Sequence, residues 1–336
     1  MAGERGKPGS LARLVEELAP GGRLIRARRL RGGLGAHMQV LDIEQADGAR
    51  FKVSLRRFVR DHRYSVPEHV AHEYEILRLV EKAKVPAPRP LLLDAEGRLF
   101  GVPAMVLTYL PGQPLCTPRD VESWADQLAR ALLSVHAVTR QDFDLSWLSV
   151  YLRDGMRAEI AKRGEQARDG EPLAREVRAV LEAQIDRISW PEPALVHDDF
   201  WPGNTVWRFG RLVGVVDWTS AELGDPRADV SQCRADIALS LGLDAADAFL
   251  EAYQARAAHP LPDIWYFDLF RGLRALMYYK QWLEGYHDLG LTHITASLAR
   301  NRVEAFLRRA LDERHPAASV LAARHAVARP ADRPID

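Results

Sequence analysis

The segment His197-Asp198-Asp199-Phe200-Trp201-Pro202-Gly203-Asn204 constrains this chain more than any other. It holds His-x-Asp-x-x-x-x-Asn, and a further aspartate, Asp217, follows Asn204 by thirteen residues. The apolar run Ala194-Leu195-Val196 leads into it. Asn204-Thr205-Val206-Trp207 and Leu212-Val213-Gly214-Val215-Val216 read as two short strands, with a turn at Phe209-Gly210-Arg211. A hairpin of that length returns Asp217 beside Asn204. A single Asp or Asn in a Gly/Pro-containing loop is ordinarily a turn former. Here apolar strands flank the loop in order, so local sequence alone brings the polar groups to one surface.

That set of groups matches the needs of phosphoryl transfer. One carboxylate must accept the proton of an attacking hydroxyl, while an amide oxygen and another carboxylate hold magnesium ions on the phosphates. By spacing, Asp199 takes the base position, and Asn204 and Asp217 take the metal-ligand positions. His197 reads as a brace for the loop through a backbone hydrogen bond rather than as a proton carrier. Asp225, in Leu223-Gly224-Asp225-Pro226, reads as the N-cap of the next helix and a tether for the loop. Asp198 has no role that spacing assigns.

The string resembles the catalytic loop of the aminoglycoside phosphotransferase and choline kinase family. There it reads His-Gly-Asp-x-x-x-x-Asn, followed by Ile-Asp-Trp and later Gly-Asp-Pro. This chain has Asp198 in place of the Gly and Trp201 in place of a frequent His, and keeps Asp217-Trp218 and Gly224-Asp225-Pro226. The resemblance spans most of residues 20–310, strongest at 195–230 and weakest after 235. It implies an α+β, bilobal, protein-kinase-like fold with an N-terminal antiparallel sheet lobe and a mainly helical C-terminal lobe. It also implies a small-molecule hydroxyl kinase, often one that inactivates an antibiotic. Such an enzyme uses Mg2+ with ATP or GTP as phosphoryl donor. A protein kinase fits less well, because neither a Phe-Gly pair nor an Ala-Pro-Glu follows Asp217-Trp218.

Bulk properties agree. Lys+Arg and Asp+Glu number 46 each, so net charge points to neither a nucleic-acid nor a membrane partner. Cys116 and Cys233 stand far apart and form no CxxC pair, which argues against a disulfide scaffold or a zinc site. The opening Met-Ala-Gly-Glu-Arg-Gly-Lys lacks the apolar segment of a secretory signal, and no apolar run approaches the roughly 18 residues of a membrane span. The expectation is a reduced, cytoplasmic protein.

Three regions are expected: a nucleotide-binding lobe over 1–110, a catalytic and substrate-binding helical lobe over 111–314, and a loose tail over 315–336. A short helix falls within 1–19, and strands within 23–30, 38–45 and 50–57. Ser65 and Glu68 form a capping box for a helix with the stripe Val70, Tyr74, Leu77 and Val80. Val102–Leu110 is a strand, and Tyr109–Gly112 a hinge. Thr117-Pro118-Arg119-Asp120 caps a helix carrying Val121, Trp124, Leu128, Leu132 and Val135. Further helices are expected over 173–188, 227–241, 245–257, 263–286 and 293–312.

The nucleotide lobe offers several candidates. Gly33 and Gly35, in Arg31-Gly32-Gly33-Leu34-Gly35, lie between two strands where backbone amides can approach phosphates. In Phe51-Lys52-Val53-Ser54-Leu55-Arg56, alternation puts Lys52, Ser54 and Arg56 on one face. The resembling family usually has Lys where alignment places Arg56, so Arg56 is the candidate phosphate cation and Lys52 its rival. Glu73 borders the apolar stripe of its helix and is the candidate partner for that cation. Leu107 and Tyr109 are the candidates beside the nucleotide base; ATP against GTP stays open.

For the acceptor, residues 265–286 are dense in aromatics, including Trp265, Tyr266, Phe267, Phe270, Tyr278, Tyr279, Trp282 and Tyr286. Such density ordinarily fills a core. The nearby acids are matched by Arg271, Arg274 and Lys280, which fits a neutral or aromatic-bearing substrate better than a polycation. The expected partner is a small-molecule hydroxyl substrate. A housekeeping kinase for choline, homoserine or a sugar amine is the alternative, and a catalytically silent binding protein a further one.

Overall fold

The computed structural model describes residues 9–30, 36–58, 66–166 and 171–314. Gly33, Gly35, Ser65 and the segment from 315 lie outside these residues. The chain divides into two compact units: Met1–Leu148 with Ala194–Leu223, and Ser149–Pro193 with Gly224–Asp336. The expected boundary at 110 falls ahead of a helix that belongs to the first unit.

The first unit begins with α1 (Ser10–Leu18) and strands β1 (Arg23–Arg29), β2 (Ala36–Glu44) and β3 (Arg50–Phe58). These lie close to the expected spans because each strand is bounded by turn-forming residues. Helix α2 (Pro67–Lys82) follows, then β4 (Pro90–Asp94) and β5 (Ala104–Thr108). The five strands form one antiparallel sheet in the order β1-β2-β3-β5-β4. Leu41 and Ile43 of β2, Val53 and Leu55 of β3 and Val106 of β5 are fully buried, and Leu14 and Val15 of α1 pack onto them.

Several local expectations change. Strand β4 was not foreseen; its Pro-flanked Leu91-Leu92-Leu93 carries no alternation, and it forms by pairing with β5. The cap of α2 is Val66, with no side-chain hydrogen bond and Pro67 in the first turn. On α2, Tyr74 is only half-buried, while Glu73, Ile76 and Leu79 join the buried face. Helix α3 (Val121–His136) is capped by Asp120, whose carboxylate accepts from the Ser123 N–H at 2.9 Å; Thr117 is not the cap. Tyr109–Gly112, expected as a hinge, lies within the first unit, and Gln113 just after it pairs with Trp207 through two backbone hydrogen bonds of 2.9 and 3.1 Å. A Cβ on Gly112, whose φ is 142°, would fall 2.2 Å from the Trp207 carbonyl oxygen. The unit closes with β7 (Ala194–Val196), β8 (Thr205–Arg208) and β9 (Arg211–Val215); β8 and β9 form a hairpin. Strand β6 (Val150–Tyr151) belongs to the second unit, and β10 (Glu222–Gly224) runs one residue past the end of the first.

The second unit is helical: α4 (Arg153–Gln166), α5 (Pro172–Gln184), α6 (Pro226–Ser240), α7 (Leu243–Gln254), α8 (Ile264–Asp288) and α9 (Ala296–Glu313). Helix α4 escaped the sequence reading because it has almost no apolar stripe. Helix α6 is buried all round, although it carries Asp229, Gln232, Arg234 and Asp236. Its polar groups are met inside the unit: Arg234 pairs with Asp268 of α8, and Asp236 accepts from Tyr286. Within the aromatic stretch of α8, Tyr266, Phe267, Phe270, Tyr279 and Tyr286 are core. Trp265, Tyr278 and Trp282 are half-buried, and Tyr278 stacks on Trp282 with centroids 6.4 Å apart. No helix among the described residues is long and apolar enough to cross a membrane.

Candidate active site

The catalytic-type loop hangs from β7, whose three residues are buried and whose Leu195 N–H bonds the Val138 carbonyl at 3.0 Å. His197 is fully buried. Its ring packs against Trp218 at 4.7 Å and Phe200 at 6.1 Å, and its Nε2 donates to the Val216 carbonyl at 3.1 Å. Since a carbonyl can only accept, Nε2 carries the proton in this arrangement. This hydrogen bond joins the start of the loop to the residue between β9 and Asp217.

Asp199 and Asn204 meet directly. The Asn204 amide group donates to the Asp199 carboxylate at 3.0 Å and to its backbone carbonyl at 2.9 Å. This turns the amide oxygen of Asn204 away, where it has no hydrogen bond among the described residues. Between them a single 3-10 turn, Pro202–Asn204, closes the loop. Gly203 lies under the Trp201 indole, and a Cβ there would sit 2.2 Å from the ring. Thr205, fully buried, donates to the Pro202 carbonyl at 2.7 Å and accepts from the Trp207 indole at 2.8 Å.

The hairpin then returns as the sequence predicts. Thr205 pairs with Val215, and the Val216 N–H bonds the Asn204 carbonyl at 2.8 Å. Phe209 and Gly210 take the left-handed backbone that a tight hairpin turn needs. Asp217 is also left-handed, at φ 66°, and its side chain is 46% exposed. Trp218 behind it is fully buried and donates to the Val215 carbonyl at 3.0 Å. Asp198 is left-handed as well, at φ 58°.

Arg56, not Lys52, reaches this surface. Arg56 Nη1 pairs with Glu73 Oε1, and its Nη2 lies 3.3 Å from Asp217 Oδ1. Its guanidinium rests 4.8 Å above the Phe58 ring. Lys52 lies two pleats away and pairs with Asp42 at 3.7 Å. Glu73 is 1% exposed. Burial pushes its carboxyl up to about 7, with Arg56 opposing and Asp217 adding to the rise. Arg56 is held in its charged form by Glu73 and Asp217 against the cost of burial. One guanidinium therefore bridges α2 and the loop after β9.

Of the remaining candidates, Leu107 is buried in β5 opposite Ser54, and Tyr109 is half-buried just beyond that strand. Asp225 caps α6 in the second unit, accepting from the Arg227 N–H at 3.0 Å and pairing with its guanidinium at 2.6 Å. Its partner is thus Arg227. Three further residues support the site without any mark in the sequence: Phe58 beneath Arg56, His72 on α2, and Gln127 of α3. Gln127 accepts from the Leu212 N–H at 3.0 Å and donates to the Gly210 carbonyl at 3.1 Å, clasping the hairpin turn. No sequence pattern singles out such a glutamine, since its partners are backbone groups eighty residues away.

The donor set suits magnesium. Asp217 offers an exposed carboxylate and Asn204 a free amide oxygen, all-oxygen ligands of the kind this ion takes with phosphate and water. No cluster of three or more His, Cys, Asp or Glu that could hold a metal ion occurs among the described residues.

Comparison with known proteins agrees with this arrangement. The model of the phosphotransferase enzyme family (APH) matches residues 42–267, and the chain belongs to that family. A Ralstonia eutropha JMP134 protein described only by its resemblance to aminoglycoside phosphotransferases superposes with a TM-score of 0.65 at 14% identity, covering 91% of this chain and 99% of that one. Macrolide 2'-phosphotransferase MphH of Brachybacterium faecium gives 0.58 at 22% identity over 89% and 98%. These likenesses show the fold, an α+β protein-kinase-like one. Among curated relatives, a homoserine kinase of Methylocella silvestris is 28% identical over 155 residues, 44% of this chain and 46% of that protein. Acyl-CoA dehydrogenase family member 10 of Mus musculus is 25% identical over 178 residues, 48% of this chain and 16% of that protein. The chain thus spans less than half the length of these curated relatives.

Proposed function

We propose that this phosphotransferase is a small-molecule kinase that moves the γ-phosphoryl group of ATP or GTP to a hydroxyl of an antibiotic-like substrate, a resistance or self-protection reaction in the cytoplasm. The observation that carries the reading is the meeting of Asp199, Asn204, Asp217 and the Arg56–Glu73 pair within one compact unit. Asp199 orients the attacking hydroxyl and accepts its proton. Asn204, through its amide oxygen, and Asp217 would hold Mg2+. When bound, the ion draws negative charge off the phosphate oxygens. Arg56, oriented by Glu73, adds its own positive charge at the same phosphates. An arginine in place of the family's usual lysine favoured a silent binding protein; its pairing with Glu73 instead supports a working cation. The solved relative APH(4)-Ia has been captured with AMP-PNP and hygromycin B, and APH(2")-IIa with gentamicin, which supports a nucleotide donor and an antibiotic acceptor here.

The test is a phosphoryl-transfer screen with ATP and GTP, read by mass spectrometry. The panel holds aminoglycosides, macrolides, nucleoside and peptide antibiotics, choline and homoserine. One acceptor gaining a single phosphate, with the product lost in Asp199→Ala, is the expected result. Transfer to choline or homoserine alone would replace the antibiotic reading with a housekeeping one.

A further inference from the structure

Glu73 can serve Arg56 only if α2 is held at the right height and rotation. The neighbouring side chain, His72, carries a contact that bears on both. Its Nε2 lies 3.4 Å from the carbonyl oxygen of Ala221, four residues past Asp217. Because a carbonyl only accepts, the Nε2–H is the donor. On its other side the imidazole meets the edge of Trp147, with centroids 5.5 Å apart and planes at 71°. Trp147 is 43% exposed, large for a tryptophan, and its indole N–H donates to the Asp144 carbonyl at 3.2 Å. The ring thus stands as a fixed wall over the histidine. Ala221 is buried, and its N–H bonds the Trp218 carbonyl at 3.2 Å. The acceptor carbonyl is therefore part of the same rigid turn that carries Asp217 and Trp218.

We infer that His72 is a positioning residue: its hydrogen bond to Ala221 fastens α2 to the turn behind Asp217, so that Glu73, Arg56 and Asp217 stay in line. Residue 72 reaches that turn by a neutral hydrogen bond, and residue 73 by the bridging guanidinium and a backbone hydrogen bond from Trp218. Losing the first loosens the helix around Glu73 while its apolar face stays packed. The effect falls on nucleotide binding, because Arg56 is the cation proposed for the phosphates; in this the inference rests on the kinase reading above.

The test compares the whole chain with His72→Ala and His72→Gln. A glutamine amide nitrogen reaches about as far as Nε2 and also donates. The probe is Mg·ATP, titrated calorimetrically, beside hydrogen exchange of the α2 amides without nucleotide and the urea midpoint. The expected result is a three- to tenfold weaker Kd in His72→Ala, roughly the worth of one such bond. Exchange of α2 should quicken, the urea midpoint should fall by no more than the worth of one such bond, and His72→Gln should return the Kd to within about twofold. An unchanged Kd and unchanged α2 exchange in His72→Ala would overturn the inference. So would a weakened Kd that His72→Gln fails to restore, since that outcome assigns the effect to ring packing. If the parent chain itself does not bind Mg·ATP, the kinase reading fails, while the α2 exchange still decides whether His72 pins the helix.

Discussion

The Arg56–Glu73 pair should respond asymmetrically to the loss of either partner. The Glu73 side chain is 2% exposed, against 15% for Arg56. Replacing Arg56 with Met keeps the stem over Phe58 but leaves a buried carboxylate without its cation. Removing one partner of a buried pair costs about 3–5 kcal/mol. Replacing Glu73 with Gln keeps the shape and an acceptor oxygen. Arg56 then still has Asp217 at 3.3 Å and the Phe58 ring at 4.8 Å. The expected cost is about 1–2 kcal/mol, the worth of one charge-assisted hydrogen bond weakened rather than lost. The double variant Arg56→Met/Glu73→Leu should recover most of the larger loss, because an apolar pair needs no compensation. The pH dependence has a definite sign. Burial raises the Glu73 carboxyl, to about 7 even with Arg56 present. A protonated Glu73 needs no cation, so the Arg56→Met deficit should shrink as pH falls toward 5 and reach its full size at higher pH. Urea unfolding followed by tryptophan fluorescence, with midpoint and slope fitted together, measures each cost. The reasoning is refuted if Glu73→Gln costs as much as Arg56→Met, or if the double variant is no more stable than Arg56→Met alone.

Asp268, buried against Arg234, has a carboxyl pushed up to about 6 by burial, with Arg234 opposing. Its folded-state value lies above the ordinary one, so its contribution is present below about pH 4 and lost as pH rises to 6, a swing on the order of 2–3 kcal/mol. Asp268→Asn should flatten that part of a stability-versus-pH curve measured by denaturant midpoints. Trp218→Ala should cost about 3–5 kcal/mol, because the indole is fully buried and its N–H caps Val215; a thermal melt reads the loss. Gly112→Ala should destabilise by more than about 1 kcal/mol in the same melt, since the left-handed backbone and the Trp207 carbonyl 2.2 Å from the added Cβ both oppose it.

What could be read from the chain alone was set by short-range geometry. Asn204 and Asp217 are joined by a hairpin whose length and turn residues leave one way to pair, so their meeting needs no distant segment. Asp225 at its helix start and the three N-terminal strands follow from the same kind of local signal. Tertiary structure decided what local pattern leaves degenerate. Lys52 and Arg56 share a strand face by alternation, and only the placement of α2 over the far end of β3 selects Arg56 for Glu73. Strand β4 exists because β5 offers it an edge, and Asp120 caps α3 in preference to Thr117 because the chain turns there. Helix α4 and the polar, wholly buried α6 have no periodic stripe to announce them; ion pairs and hydrogen bonds from α8 replace the apolar face. Gln127 and His72 reach backbone carbonyls from segments far along the chain. Carbonyls carry no residue identity, so such contacts leave no mark in sequence and appear only once the chain has folded.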